Sequence, residues 1–339
     1  MQTSKSILLL SFCFVALLLL SLSLGSVYIP FLEVLKALSF QTLDNETWQY
    51  IIQNYRLPKT ITSILVGGAL SLCGLLMQTL FRNPLAGPYV LGLSSGASLG
   101  VALVVLGSSS LGFVLSAEIS ERWVIVLASS LGSFLVMLSI LATAKRLKDT
   151  MALLIVGLMF SSITSAIVNV LSFFSSSDEL QKYIFWSLGS LGNLSWSEIG
   201  LLSICCGLGV LLSIILIKPL NALLMGEHYA TSLGINIKQT RLLVITATCL
   251  MAGAITAFAG PIAFIGLAVP HLTRQLVKTT NHIILVPSVV LFGASLLLLC
   301  DSIAQLPFSE LSLPINAVTS IIGAPVVIWL LVKQKYIRF

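Results

Sequence analysis

GPIAFIGLAVPHLTRQL, residues 260–276, decides how many times this chain crosses a membrane. Nine other segments are apolar enough to cross on their own: 7–24, 57–81, 89–106, 123–144, 151–174, 199–217, 242–258, 283–300 and 315–332. A spanning helix needs about 20 mainly apolar residues. Nine crossings would leave the two chain ends on opposite sides. Read as a tenth, Pro-interrupted segment, residues 260–276 bring both ends to one side.

Charge tests that choice. With ten segments, the side holding both ends carries thirteen of the 18 Lys and Arg residues, among them Lys145, Arg146, Lys148, Lys238, Arg241 and Arg274. The other side holds five: Lys36, Arg56, Lys59, Arg122 and Lys182. Acidic residues divide the other way, with Asp149 and Glu227 on the basic side and ten opposite. Lys and Arg in short loops mark the cytoplasmic face. The expected fold is therefore an all-α integral membrane protein of about ten helices with both termini cytoplasmic.

Composition agrees. Of 339 residues, 57% are hydrophobic and only 9% charged, where soluble domains carry about 25% charged residues. The formal charge of +6 follows from the positive-inside bias rather than from nucleic-acid binding. The apolar core of 7–24 is longer than a signal peptide's, and no small-residue cleavage site follows, so it reads as a retained helix. All six cysteines lie in apolar runs without metal-ligand spacing and read as small buried hydrophobes. No cofactor, disulfide framework or zinc site is implied. The longest interruptions, near 26–55 and 175–198, are outer loops, so residues 1–339 read as one transmembrane domain.

Two short echoes point to an inverted repeat. Ala86-Gly87-Pro88 precedes Gly92-Leu93, and Ala259-Gly260-Pro261 precedes Gly266-Leu267, at opposite faces in this topology. The spans nearly lack ionisable groups: Asp301 and Glu198 fall at span ends, and His228, His271 and His282 lie toward the basic side. Ion-coupled transporters place such groups at mid-membrane depth, and a bare-metal permease needs His, Asp or Glu in its path. The spans instead carry small, mildly polar residues. Ser94, Ser95, Gly96, Ser98, Ser161, Ser162, Thr164, Ser165 and Asn169 suit a bland pathway for a bulky solute. Of these, Ser94, Ser95, Gly96, Ser161, Ser162 and Ser165 are the candidate pathway lining. Weak binding in the path leaves selectivity and energy to other subunits, a soluble delivery protein and an ATPase. No G-x-x-x-x-G-K-[ST] loop occurs here, so ATP hydrolysis would belong to the partner.

The segment RLPKTITSILVGGALSLCGLLMQTLFRNPLAGPYVLGLSSGASLG, residues 56–100, resembles the permeases of type II ATP-binding-cassette importers for iron–siderophore complexes, haem and vitamin B12. It carries their R-L-P-[RK]-T, G-x-x-M-Q-x-x-x-x-N-P-L-A-x-P and L-G-x-S-x-G-A patterns. GPIAFIGLAVPHLTRQL is similar to their G-x-I-x-F-I-G-L-x-x-P-H signature, LLMGEHYATSLGI to their coupling loop and LPINAVTSIIGAPVVIWLL to their final helix. The resemblance implies a ten-helix permease that pairs with a second copy around a central pathway, in a bacterial-type inner membrane. Two ATPase subunits lie beneath it and a binding protein docks outside. It implies that Arg56 and Lys59 dock the binding protein, with Gln305 replacing a further basic residue. It also implies that residues 223–235 couple to the ATPase, with Gly226, Glu227 and Gly234 as candidates. Arg82–Pro88 becomes a cytoplasmic turn feeding a short, pathway-lining helix, with Gly92, Gly96 and Gly100 allowing close packing.

The implied function is a non-enzymatic membrane subunit that imports a bulky iron chelate, a ferric siderophore first, with haem or vitamin B12 as alternatives. An ion-coupled secondary transporter and a structural scaffold are the readings of other classes. The missing buried charges argue against the former, and the broken helices against the latter.

Overall fold

A computed structural model describes residues 2–25, 27–39, 43, 45–107, 121–146, 150–192, 194–306 and 312–333. Every regular element among them is helical. Seven helices among the described residues are long and apolar enough to cross a membrane. Three shorter ones occupy the remaining expected segments: α5 (Leu93–Val105), α13 (Ile265–Val277) and α15 (Ile315–Lys333). Two compact units result, and the helices Leu57–Phe81 (α4) and Trp196–Ile215 (α9) contribute to both.

The first unit comprises residues 1–72, 190–204 and 262–338. It contains α1 (Gln2–Ser23), α2 (Phe31–Leu38), α3 (Glu46–Ile51), the π-helical turn Ile52–Arg56, the start of α4, and α13, α14 (His282–Ala304) and α15. Lipid tails are as apolar as leucine, so packed small residues rather than hydrophobicity bring such helices together. At the crossing of α4 and α14, a Cβ added to Gly67 would stand 2.4 Å from the Gly293 carbonyl oxygen. Leu22, Ile29, Val34, Leu43 and Ile52 form a buried cluster where the loop after α1 folds back. By sequence, that stretch reads as an outer loop. It holds α2 and α3, the latter capped by Asn45, whose side chain accepts from the Thr47 and Trp48 amides at 3.0 and 3.3 Å.

In this unit the deciding segment is a broken helix. Phe264 adopts φ 67°, and the backbone is irregular until Ile265 opens the 13-residue α13, which carries Pro270 inside. The Ala263 amide donates to Asn316 Oδ1 at 3.0 Å, replacing a helical partner. Irregular backbone at membrane depth survives only where protein or a cavity satisfies it.

The second unit comprises residues 73–189 and 205–261. It holds the end of α4, a 3₁₀ turn at Pro88–Leu91, α5, α6 (Glu121–Arg146), α7 (Thr150–Phe174) and α8 (Ser177–Ser187). The end of α9, α10 (Ile217–Leu224), α11 (Glu227–Ser232) and α12 (Ile237–Ala259) complete it. Gly92 takes φ 77° and starts α5. Added Cβ atoms at Gly96 and Gly100 would stand 2.6 Å from the Gly132 oxygen and 2.0 Å from the Ala128 oxygen, so α5 and α6 meet backbone to backbone. Ser133 Oγ donates to the Leu93 carbonyl at 3.1 Å across the same crossing. The turn that ends α4 also matches the reading of Pro84 and Pro88 as helix stops: α4 ends at Phe81 and Arg82 takes φ 47°.

Candidate functional site

At the end of the first unit expected to face outward, Arg56 and Lys59 have structural partners. Arg56 is only 8% exposed. Its Nη1 donates to the Leu22 and Ser23 carbonyls at 2.7 and 2.8 Å, and its Nη2 to the Val27 carbonyl. A cation there satisfies the orphan carbonyls at the α1 C-terminus and complements the helix dipole. Lys59 Nζ lies 3.0 Å from Asp301 Oδ1, with about a quarter of the lysine side chain exposed and the carboxylate buried. Gln305 Nε2 donates to the other Asp301 oxygen at 2.9 Å. These contacts give both cations a role in local stability. Their opposition to the α4 N-terminus is outweighed by α1 carbonyls and a buried carboxylate, neither of which is adjacent in sequence.

In the second unit, the 223–235 segment holds the end of α10 and all of α11, two short helices separated by Met225 and Gly226. Gly226 has φ 117° and Gly234 φ 78°, both in the region that L side chains avoid. Glu227 opens α11, and its Oε1 lies 3.5 Å from Arg241 Nη2 on α12. Arg82 Nη2 donates to the Leu224 carbonyl at 3.3 Å and so ties the turn after α4 to α10.

The expected pathway residues separate in the second unit. Ser94, Ser95 and Ser165, with Ser98, Thr164 and Asn169, face a cavity of about 500 Å³ between α5, α7 and α8. Tyr183 on α8 also lines it, with a 2.8 Å hydrogen bond between its hydroxyl and Ser98 Oγ. Burial pushes the Tyr183 phenol above its ordinary pKa, which keeps it a neutral hydroxyl. Among the described residues that line this cavity, none is Asp, Glu, Lys, Arg or His. Gly96, Ser161 and Ser162 do not line it. Gly96 is consumed by the α5–α6 crossing, and Ser161 lies beside Gly92. Ser162 is exposed on α7 and donates to the Leu158 carbonyl at 3.1 Å. Sequence reading assigned all six by residue type, whereas helical phase decides which face the cavity.

Sequence reasoning missed Tyr183 and α8 altogether. A signal was available in Ser176-Ser177-Asp178-Glu179: Ser176 and Glu179 form a reciprocal capping box. Ser195 and Glu198 repeat the device ahead of α9, the Ser195 amide donating to Glu198 Oε2 at 2.7 Å.

Comparison with known proteins gives this geometry a family. The model of the FecCD transport family matches residues 13–333. The vitamin B12 import system permease protein BtuC of Klebsiella pneumoniae subsp. pneumoniae is 38% identical over 323 residues, covering 94% of this chain and 90% of that protein. Its counterpart in Escherichia coli O9:H4 is 37% identical over 296 residues, 85% of each chain. A metal-chelate type ABC transporter solved in an inward-facing conformation superposes with a TM-score of 0.84 at 28% identity, covering 98% of this chain and 100% of that one. With seven membrane-length apolar helices and a family match over nearly its whole length, this multi-pass chain belongs to the FecCD transport family, the permease subunits of type II ABC importers.

Proposed function

We propose that the chain is the pathway subunit of an ATP-driven importer for a bulky metal chelate in a bacterial inner membrane, working as a homodimer with two ATPase subunits and a delivering binding protein. The observation that carries this reading is the cavity between α5, α7 and α8, whose polar groups among the described residues are hydroxyls and an amide without a single charge. Such a wall gives a large solute weak, uncharged contacts. It offers no carboxylate or imidazole for coupling to protons or sodium, which weighs against a secondary transporter.

The cargo has two readings. The sequence patterns belong to importers of ferric siderophores, haem and vitamin B12 alike, and the names of the relatives at 37–38% identity favour vitamin B12 over the siderophore. Energy enters through residues 223–235, where Gly226, Glu227 and Gly234 shape a short-helix pair for the ATPase. The binding protein docks at the rim organised by Arg56 and Lys59.

The test is reconstitution of the permease with its ATPase and binding protein in vesicles, followed by uptake of labelled cyanocobalamin and of a ferric siderophore. ATP-dependent uptake of one of them, lost when the binding protein is omitted, is the expected result. Uptake driven by a proton gradient without ATP would overturn the reading.

A further inference from the structure

A second cavity, of about 300 Å³, opens in the second unit far in character from the hydroxyl-lined one. Its wall is formed by Ala144, Asn236, Lys238, Gln239, Arg241 and Leu242. Two of these six residues are cations and none is an acid. Lys238 is exposed, while Arg241 is buried at 7% exposure and lines the cavity from α12. Glu227 approaches one edge of that guanidinium at 3.5 Å, and its own side chain is about half exposed. Asn236 is engaged as the cap of α12, accepting from the Gln239 amide at 3.0 Å.

Depth identifies the ligand class. Ala144 is the last residue of the apolar span 123–144, and Leu242 follows Arg241, the last charged residue of α12, whose apolar span begins at Ile237. The cavity therefore sits at the charged ends of two apolar spans, and its wall combines the cations Lys238 and Arg241 with the apolar Ala144 and Leu242. A free phosphate or nucleotide has no use for the apolar wall. A zwitterionic lipid brings its own cation to a site that already holds two.

We propose that this cavity binds the phosphate of an anionic phospholipid, such as phosphatidylglycerol, from the cytoplasmic leaflet. The placement rests on the reading that the Lys- and Arg-rich end faces the cytoplasm. Basic pockets between membrane helices on that side suit anionic headgroups. Because α11 carries Glu227 and α12 carries Arg241, a lipid seated here lies beside the segment proposed to meet the ATPase.

The experiment is native mass spectrometry of the full-length permease–ATPase complex released from nanodiscs of defined phosphatidylglycerol and phosphatidylcholine content. The wild type is expected to retain phosphatidylglycerol in preference to phosphatidylcholine. Lys238→Gln, a change at an exposed side chain, is expected to retain it about fivefold less, the loss suited to one basic residue near a membrane surface. Lys238→Arg is expected to restore retention. Arg241→Gln is the stronger variant, and the exposed Lys238 site keeps the test valid if that variant fails to assemble. Equal retention of both lipids, or no difference between wild type and Lys238→Gln, would overturn the proposal. So would inorganic phosphate displacing the lipid at millimolar concentration, which makes the ligand a free anion. Loss of the lipid on assembly with the ATPase would assign the cavity to that subunit instead. Lipid retention is read without transport, so it fails or succeeds independently of the uptake test.

Discussion

Lys59 Nζ and Asp301 Oδ1 stand 3.0 Å apart, joining the first turn of α4 to the last turns of α14. The two members are unequal. The lysine reaches water and the carboxylate does not.

Breaking the pair is therefore expected to depend on which partner is removed. Lys59→Met strands a buried carboxylate and should cost up to the ~3–5 kcal/mol typical of an orphaned buried charge. Asp301→Asn leaves a lysine that can turn to solvent and keeps an amide for Gln305, so its cost should be about 1 kcal/mol. Thermal unfolding in detergent checks the order, and the double variant should be less destabilised than the sum of the singles. Equal losses would mean that the carboxylate is hydrated.

Arg56 should behave as a structural cation first. Arg56→Lys supplies a single ammonium where a fork now reaches Leu22, Ser23 and Val27 carbonyls, and buried acceptors left unmade cost about 1–3 kcal/mol each. Loss of thermal stability alongside loss of binding-protein affinity is expected. A fully stable variant with weakened docking would give the residue a purely interfacial role.

Gly100→Ala places a methyl 2.0 Å from the Ala128 carbonyl oxygen, whereas at Gly200 nothing lies within 4 Å. The first change should destabilise by about 1–3 kcal/mol, the range for overpacking, and the second should be neutral. Melting temperatures of the two variants in one detergent decide it.

Gly234→Val tests the coupling segment. Nothing lies within 4 Å of an added Cβ there, but φ is 78°, and an L residue in that conformation costs about 1–2 kcal/mol. The variant is expected to reach the membrane and bind its ATPase with uptake reduced or uncoupled from hydrolysis. Normal coupled uptake would remove the segment from the mechanism.

Tyr183→Phe removes the 2.8 Å bond to Ser98 in the cavity wall. An intramolecular hydrogen bond is worth about 1 kcal/mol, so α8 should part from α5 roughly fivefold more often. In a cysteine-free background, labelling of Ser95→Cys by an impermeant thiol reagent should accelerate accordingly. Equal rates in the presence and absence of the tyrosine hydroxyl would show that α8 does not gate the cavity.

Local rules made much of this protein readable from sequence. Long apolar runs must become helices because lipid leaves no other partner for backbone amides, and α4 was expected at 57–81, the bounds it adopts. Pro84, Pro88 and Gly92 announced a break because their constraints act on the backbone itself. Gly226 and Gly234 punctuate the short helices for the same reason. What sequence left open depended on partners distant along the chain. Arg56 looks like a free outer charge until the end of α1 lies under it, and Lys59 until Asp301 arrives from α14. Likewise Ser95 and Gly96 are neighbours of similar size, yet one faces a cavity and the other vanishes into a helix crossing. Helix formation is decided by groups within a few residues. Which face of a helix meets water, lipid or another backbone is decided only when non-local surfaces close on one another.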